Sequence, residues 1–150
     1  MRYTILFAIF LFVTFISCKK ETVSSTPTLK FEKVSTTELH PNGVITFTLS
    51  FTHKGDFNGT LLVQEIVPKC TDNIMDSINS PYDLPSFPAS QNNKGEITVT
   101  YGYNVTGYSP VSQPKCSPRN DTAVFRFVLK ADSTHISDTV SSPQVIIYAQ

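Results

Sequence analysis

The chain has 150 residues and carries 12 basic and 12 acidic side chains, so its formal net charge at pH 7 is zero. It has no run or stripe of Lys and Arg, which argues against nucleic acid or an acidic polymer as a partner. Thr, Ser, Asn and Pro are abundant and no stretch has a convincing helical period, so the composition indicates one all-β domain.

The N-terminus has the layout of an export signal. Arg2 supplies a positive charge, and an apolar run follows over residues 5–16. The run is too short for a transmembrane helix, which needs about 20 apolar residues. Ser17 is a small residue placed directly before Cys18, and this arrangement resembles a bacterial lipoprotein signal. The resemblance implies acylation of Cys18, with ordinary secretion or a retained anchor as the alternatives.

Three segments follow from this interpretation. Residues 1–17 form the signal peptide, residues 18–28 form the lipidated cysteine with a polar tether, and residues 29–150 form the folded domain. A flexible linker of about ten residues has an r.m.s. span of about 17 Å, which lifts a domain clear of the lipid headgroups.

Strands in the first half are predicted from alternating apolar and hydroxyl-bearing residues. Residues 29–35 form a short first strand, and residues 44–52 follow the period of two at every position. Residues 53–59 are rich in Gly and Asn and predict a turn. Residues 60–67 are apolar on both faces, which indicates a strand in the centre of a sheet.

The second half is less regular. Residues 68–95 contain four prolines, and because a structureless loop of this length is uncommon, we expect a short strand or one helical turn near residues 73–78. Three further strands are predicted at residues 96–105, 122–130 and 136–149, the last broken by an edge bulge at residues 141–143.

The number and spacing of these strands predict the fold class. Short strands separated by turns rich in Gly, Asn and Pro predict an immunoglobulin-like, antiparallel two-sheet sandwich of about seven strands. The Trp that packs on the inter-sheet disulfide of antibody domains is absent, because the chain has no Trp. A small barrel is the alternative.

Two regions carry a family resemblance. Residues 45–52 form a strand followed by the Asp- and Gly-containing turn at 53–59, and residues 121–128 with 137–143 form a closing strand pair. This pattern, together with the signal, is similar to small outer-membrane lipoproteins of Bacteroidota. The resemblance implies a cell-envelope location and one immunoglobulin-like domain, and it carries no activity with it.

No catalytic motif is present in the sequence. It has no G-x-S-x-G, no H-E-x-x-H and no Gly-rich phosphate loop, so no catalytic residue, metal site or cofactor is predicted. Glu65 and Glu96 lie in or beside strands, with no indication of the cleft that a glycosidase pair requires. The three histidines, His40, His53 and His135, are scattered, and we interpret them as exposed turn residues.

Three aspartates share the long irregular segment. Asp72, Asp76 and Asp83 offer oxygen ligands of the kind that calcium prefers. Their spacing matches no known calcium loop, so a solvated acidic loop is favoured.

Cys70 and Cys116 are predicted to form a disulfide. They are the cysteines that remain once Cys18 is acylated, the compartment is oxidising, and both occur as Pro-Lys-Cys in long loops. Closing a loop of this length contributes about 4 kcal/mol in the chain-entropy model. Two free thiols are the alternative.

The same geometry predicts a binding surface. In the predicted sandwich the third and sixth strands pair antiparallel, so the two long loops meet at the end opposite the tether if residues 68–95 hide a strand. Five side chains in these loops are then candidates for a membrane-distal binding surface: Tyr82, Leu84, Phe87, Tyr108 and Arg119. The alternative is that they cap the core.

The sequence therefore favours a lipid-anchored envelope protein with a non-catalytic module that binds a glycan or a protein. Its predicted partners are the membrane, through the N-terminal lipid, and that ligand. A structural component of the envelope without a soluble ligand is the second interpretation, and a hydrolase is a distant third. Which face of the outer membrane the protein occupies is left open.

Overall fold

The computed structural model describes residues 25–68, 75–115 and 118–150, without the side chains of residues 68, 75–76 and 87–93. The predicted signal peptide, Cys18, Cys70 and Cys116 lie outside the described residues. Within the described ranges no helix is long and apolar enough to cross a bilayer.

The described residues form ten strands. In chain order these are β1 (Thr28–Val34), β2 (Glu38–Leu39), β3 (Val44–Phe57), β4 (Thr60–Pro68), β5 (Met75–Asp83), β6 (Phe87–Gly102), β7 (Ser109–Pro110), β8 (Asp121–Lys130), β9 (Val140–Ser141) and β10 (Val145–Ile147). One sheet has the order β1-β3-β6-β7, and the other has the order β2-β10-β8-β4-β5, with β9 paired to β8. The predicted all-β, two-sheet sandwich is confirmed.

The arrangement of the longer strands is immunoglobulin-like. In the first sheet β1, β3 and β6 are adjacent, like the first, second and fifth strands of an immunoglobulin sandwich. In the second sheet β4, β8 and β10 are adjacent, like the third, sixth and seventh strands of that fold. Two short pairs, β2 with β10 and β6 with β7, are parallel, so the sheets are mixed rather than purely antiparallel. Very short strands raise the count above the predicted seven.

β3 extends further than its sequence predicts. The turn predicted at residues 53–59 is wrong, because His53 and Phe57 continue the inward-facing, buried side of the strand. The pairing with β6 is irregular on both sides of Gly55, which has a φ of 97°. A glycine adopts this left-handed conformation without the steric cost of a Cβ atom, so the strand passes through a bulge instead of ending.

The segment from 68 to 95 contains a strand, β5, as its length predicts. β5 pairs antiparallel with β4 along nine residues, from Pro68 opposite Met75 to Thr60 opposite Asp83. β6 then begins at Phe87 rather than at residue 96, which leaves only residues 84–86 as a connection. Pro81 is accommodated because β5 is the last strand of its sheet, where a missing N–H does not break a ladder.

The last strand is interrupted as predicted. β9 and β10 both pair with β8, and the residues between them leave the ladder. Ser142 replaces the missing ladder bond, since its hydroxyl oxygen accepts from the Phe125 N–H at 3.0 Å while its own N–H donates to the Phe125 carbonyl at 2.8 Å. Ser137 makes the same pair of bonds with Leu129, at 2.9 and 2.8 Å.

The core lies between the two sheets and is rich in aromatic rings. The ring of Phe47 lies 4.6 Å from that of Phe125 and 5.3 Å from that of Phe127, measured between centroids. The three side chains are fully buried and join the sheets, because Phe47 belongs to β3 and the other two belong to β8.

The two ends of the sandwich can be told apart by strand direction. We call the end where β1 begins the near pole; Thr28 pairs with Thr52 there, and β3 ends and β4 begins. We call the opposite end the far pole, where β4 ends and β8 begins. β4 and β8 pair antiparallel, as predicted.

Candidate functional site

Three of the five predicted binding residues lie at the near pole. Tyr82 pairs with Leu61 near the start of β4, and the Leu84 N–H donates to the Gly59 carbonyl at 2.9 Å. Phe87 lies opposite Phe57 at the end of β3. The prediction that all five share the end opposite the tether is wrong, because β5 returns the chain to the near pole before residues 84–86.

Tyr82 and Leu84 are core-capping residues rather than members of a surface. Both are partly buried and pack against the hydrophobic core. The Tyr82 ring lies edge-on to that of Tyr101, with 6.3 Å between centroids. Its hydroxyl is buried and has no hydrogen-bond partner of good geometry among the described residues.

Tyr108 and Arg119 lie at the far pole and are exposed. Arg119 precedes β8, and Tyr108 lies in the turn between β6 and β7 with 48% of its surface accessible. That turn uses two left-handed residues, Asn104 with a φ of 57° and Gly107 with a φ of 91°. Asn and Gly are the residues that adopt this conformation most readily.

The turn is fixed to the start of β3. The buried Tyr103 donates its N–H to the Gly43 carbonyl at 2.9 Å, and its carbonyl accepts from the Asn42 N–H at 2.8 Å. A further bond joins the Gln113 side-chain amide to the Asn104 side-chain oxygen at 2.8 Å. These bonds hold the turn at both of its sides.

Gly102 allows the turn to fold back over the end of β6. A Cβ atom at this position would lie 2.9 Å from the Val105 Cβ and 3.1 Å from the Tyr108 Cβ, which is too close for an unshifted backbone. The glycine therefore sets how closely Tyr108 approaches the sheet.

Tyr108 is part of a small exposed surface on the outer face of the first sheet. Val44 lies opposite Gly102 and is 43% accessible. The next outward pair along the same strands is Thr46 with Thr100, whose hydroxyl oxygens lie 3.1 Å apart. We call these five residues the Tyr108 surface: Val44, Thr46, Thr100, Gly102 and Tyr108. It places an aromatic ring and an apolar side chain beside two hydroxyl groups.

A buried carboxylate lies behind this surface, inside the sandwich. Glu65 is an inward residue of β4 with only 3% of its surface accessible. Its two oxygens accept the Ser112 N–H at 3.1 and 3.2 Å, and Oε2 also accepts the Ser112 hydroxyl at 3.2 Å. Burial raises the pKa of Glu65 above its ordinary value, while the Ser112 bonds and the charge of Lys115 partly oppose the increase.

A second buried carboxylate holds the same segment. Asp121 at the start of β8 is 3% accessible, and its Oδ2 accepts the Lys115 N–H at 2.8 Å. Val111 is buried, and its N–H donates to the Gly102 carbonyl at 3.1 Å. We call residues 111–115 the strap, because they cross the far pole between the two sheets.

The sequence pattern of β4 itself marks Glu65 as unusual. The inward positions of β4 are Leu61, Val63, Glu65 and Val67, so the glutamate occupies an apolar series. A charged residue at an inward position predicts a dedicated partner. Glu96, in contrast, is exposed on the outer face of β6, so the two glutamates do not converge.

Tyr101 lies beside Glu65 in the interior. Burial is the main reason that the pKa of Tyr101 is raised, and the neighbouring Tyr82 hydroxyl adds to the effect. Ser80 opposes it by a hydrogen bond to the charged form. Tyr101 thus lies within reach of three polar side chains, those of Glu65, Tyr82 and Ser80.

The histidines do not share one environment. His53 is buried, against the expectation of an exposed turn residue, and its Nε2 lies 3.1 Å from the Asp56 carbonyl oxygen. His135 closes the turn after β8, with Nδ1 2.7 Å from the Asp132 carboxylate. Within residues 25–68, 75–115 and 118–150, no three His, Cys, Asp or Glu side chains are grouped to hold a metal ion.

The predicted acidic loop is also wrong. Asp76 lies opposite Val67 and Asp83 lies opposite Thr60, so they occupy opposite ends of β5 rather than one loop. Asp72 lies outside the described residues.

Comparison with known proteins gives only partial structural similarity. No family model matches the chain, and no curated protein matches its sequence. Spo0M, a sporulation control protein from Bacillus subtilis, has a TM-score of 0.46 and 11% identity, covering 83% of this chain and 50% of that one. A beta-glucosidase from Listeria innocua has a TM-score of 0.41 and 13% identity, covering 83% of this chain and 16% of that one.

Proposed function

We propose that this chain is a lipid-anchored protein of the outer membrane whose β-sandwich is a non-catalytic module that binds a glycan or a protein through the Tyr108 surface. The observation that carries the proposal is an exposed tyrosine on a turn that is fixed to two strands. Tyr108 is 48% accessible, which leaves its ring available for contact with a ligand.

A fixed aromatic side chain is well suited to binding. Tyrosine combines a large apolar area with a polar hydroxyl and has few rotatable bonds, so little conformational entropy is lost when a ligand covers it. The bonds made by Tyr103 and Asn104, and the contact at Gly102, order the turn before any ligand arrives. Preorganisation of this kind increases affinity.

The position of the surface fits a tether at the N-terminus. β1 begins at the near pole and Tyr108 lies at the far pole, so a lipid on Cys18 would attach to the end of the sandwich remote from Tyr108. The proposed lipid itself rests on the signal-like layout of residues 2–18.

The glycan arm of the proposal is tested by co-sedimentation of the full-length chain, in detergent, with insoluble peptidoglycan, chitin and cellulose. We expect Tyr108→Ala to weaken binding at least tenfold, which corresponds to about 1.4 kcal/mol. Ile136→Ala is the matched control, because Ile136 is 39% accessible but lies after β8 at the near pole.

The protein arm is tested by a photo-crosslinking amino acid at Thr106, an exposed residue of the same turn. A protein partner should be captured in intact cells and lost when Tyr108 is also changed to Ala. Absence of binding in both arms, or equal loss with Ile136→Ala, would contradict the proposal.

A further inference from the structure

One edge of β6 is uncovered over most of its length. On one side β6 pairs with β3, from Phe87 to Gly102. On the other side β7 pairs only with Tyr101 and Gly102. Within residues 25–68, 75–115 and 118–150, no other strand pairs with this side of β6. An uncovered edge of this length is a template for the addition of a further strand.

The hydrogen bonds of the sheet show which residues of β6 face the uncovered edge. The N–H and C=O groups of Thr46 in β3 bond to Ser35 on the β1 side, both at 2.9 Å, so they point away from β6. Thr100 lies opposite Thr46 and, by the alternation of an antiparallel ladder, its backbone groups point away from β3. Every second residue does the same, so the backbone groups of Glu96 and Thr98 also point to the uncovered edge.

Two side chains of opposite charge flank Gly95 on the outer face of this strand. Lys94 and Glu96 are exposed and lie opposite Thr52 and Ser50 of β3. If two β6 strands pair antiparallel with Gly95 opposite Gly95, Lys94 of each copy lies opposite Glu96 of the other. Opposite charges placed directly across two strands stabilise the pair, and like charges destabilise it. A centre one residue to either side would place like charges together, so the charges select the register centred on Gly95.

We propose that this edge is a self-association surface, on which a second copy of the chain adds its own β6 in antiparallel orientation with Gly95 at the two-fold axis. The backbone groups of Glu96 and Thr98 then gain partners, and the first sheets of both copies become one continuous sheet. Lys94 also interacts within its own chain, and its ammonium has three donors, so the two interactions are compatible. The inference does not depend on a ligand for the Tyr108 surface.

The same register suits attachment of both copies to one membrane. Thr28 lies opposite Thr52, which lies opposite Lys94, so β1 begins close to the level of the two-fold axis. β1 and β6 are two strands apart, about 10 Å, and each tether spans about 17 Å. Attachment to one bilayer would raise the effective concentration of the two copies. This advantage depends on the proposed lipid, whereas the strand pairing does not.

Carbodiimide cross-linking tests the pairing without a variant, because the reagent joins an amine directly to a carboxylate that it contacts. Full-length chain in detergent micelles is used as an equal mixture of unlabelled and isotope-labelled copies. We expect a mixed-label product in which the Lys94 amine is joined to the Glu96 carboxyl. Absence of this product would overturn the proposal. Linkage of Glu96 to Lys19 or Lys20 instead would show that the tether occupies the edge, and would overturn it too.

Charge reversal, followed by sedimentation equilibrium in the same detergent, tests the register. Lys94→Glu should raise the dimer dissociation constant by about tenfold, because two pairs of like charge replace two pairs of opposite charge. Combining Lys94→Glu with Glu96→Lys restores both pairs and should return the constant to within about threefold of the original. Both side chains are exposed, so we expect the fold to be retained.

Lys30→Glu is the matched control, because Lys30 is exposed on the same face of the sheet but belongs to β1. It should leave the dissociation constant unchanged. An equal loss with Lys30→Glu, or failure of the double reversal to recover association, would overturn the proposal.

Discussion

Single polar side chains complete the backbone hydrogen bonding where the last strand breaks. Ser137 lies eight residues from Leu129 in the sequence, and Ser142 lies seventeen residues from Phe125. In space each serine offers its hydroxyl oxygen and its N–H to one residue of β8. A buried N–H without an acceptor destabilises the folded state, so these two hydroxyls contribute to the stability of the fold.

Replacing Ser142 by Ala should destabilise the fold. The Phe125 N–H would remain buried without its acceptor, at a cost of about 1–3 kcal/mol in the free energy of unfolding. Ser141→Ala is the matched control, because Ser141 is exposed and a surface change of this kind stays within about 0.5 kcal/mol. Urea unfolding of both variants measures the difference. Equal midpoints would show that water or another group satisfies the Phe125 N–H.

At the scale of strands and loops, the number of times the chain reverses direction decides at which pole each loop lies. β5 adds one reversal between β4 and β6, which makes β4 and β8 antiparallel and returns residues 84–86 to the near pole. The described residues nearest Cys70 and Cys116 are then Pro68 and Lys115. Pro68 ends β4, and Lys115 bonds to Asp121 at the start of β8, so both lie at the far pole.

The disulfide between Cys70 and Cys116 stays a prediction, and the placement of its flanking residues supports it. The bridge should leave no alkylatable thiol at these positions when the lipidated chain is unfolded without reductant. Reduction should lower the free energy of unfolding by about 2–4 kcal/mol. Two alkylated cysteines before reduction, located by peptide mapping, would exclude the bridge.

The sequence predicted the elements that local periodicity determines, and missed those that depend on neighbours. Alternation in residues 44–52 and 122–130 identified the cores of β3 and β8. It could not show that Gly55 forms a bulge rather than a turn, because either conformation suits a glycine. The start of β6 at Phe87 was also missed, since pairing with β3 rather than local pattern extends that strand.

The candidate site was predictable only in part, for the same reason. The sequence predicts Tyr108 as a binding residue because it is an aromatic residue in a loop. Val44 and Gly102 lie beside it through strand register, which the sequence does not display. The same argument predicts Tyr82 as a binding residue, but Tyr82 caps the core beside Tyr101. Residue type alone cannot distinguish two tyrosines in predicted loops. Only the fold shows that Tyr108 is exposed and that Tyr82 is partly buried.

At the scale of the whole molecule, the proposed tether and the proposed binding surface lie at opposite ends of one sandwich. The near pole receives the chain from the proposed lipid, and the far pole carries the Tyr108 surface and the strap. The second sheet spans this distance through β4 and β8, which are paired along most of their length. We therefore expect the Tyr108 surface to face away from the bilayer.

Hydroxyl-radical footprinting of the full-length chain in liposomes tests this central claim most directly. Tyr108 should be oxidised as rapidly in liposomes as in detergent, and the Cys18→Ser variant should fail to attach to the liposomes at all. Protection of Tyr108 by the bilayer, or attachment of Cys18→Ser equal to that of the unmodified chain, would contradict the account.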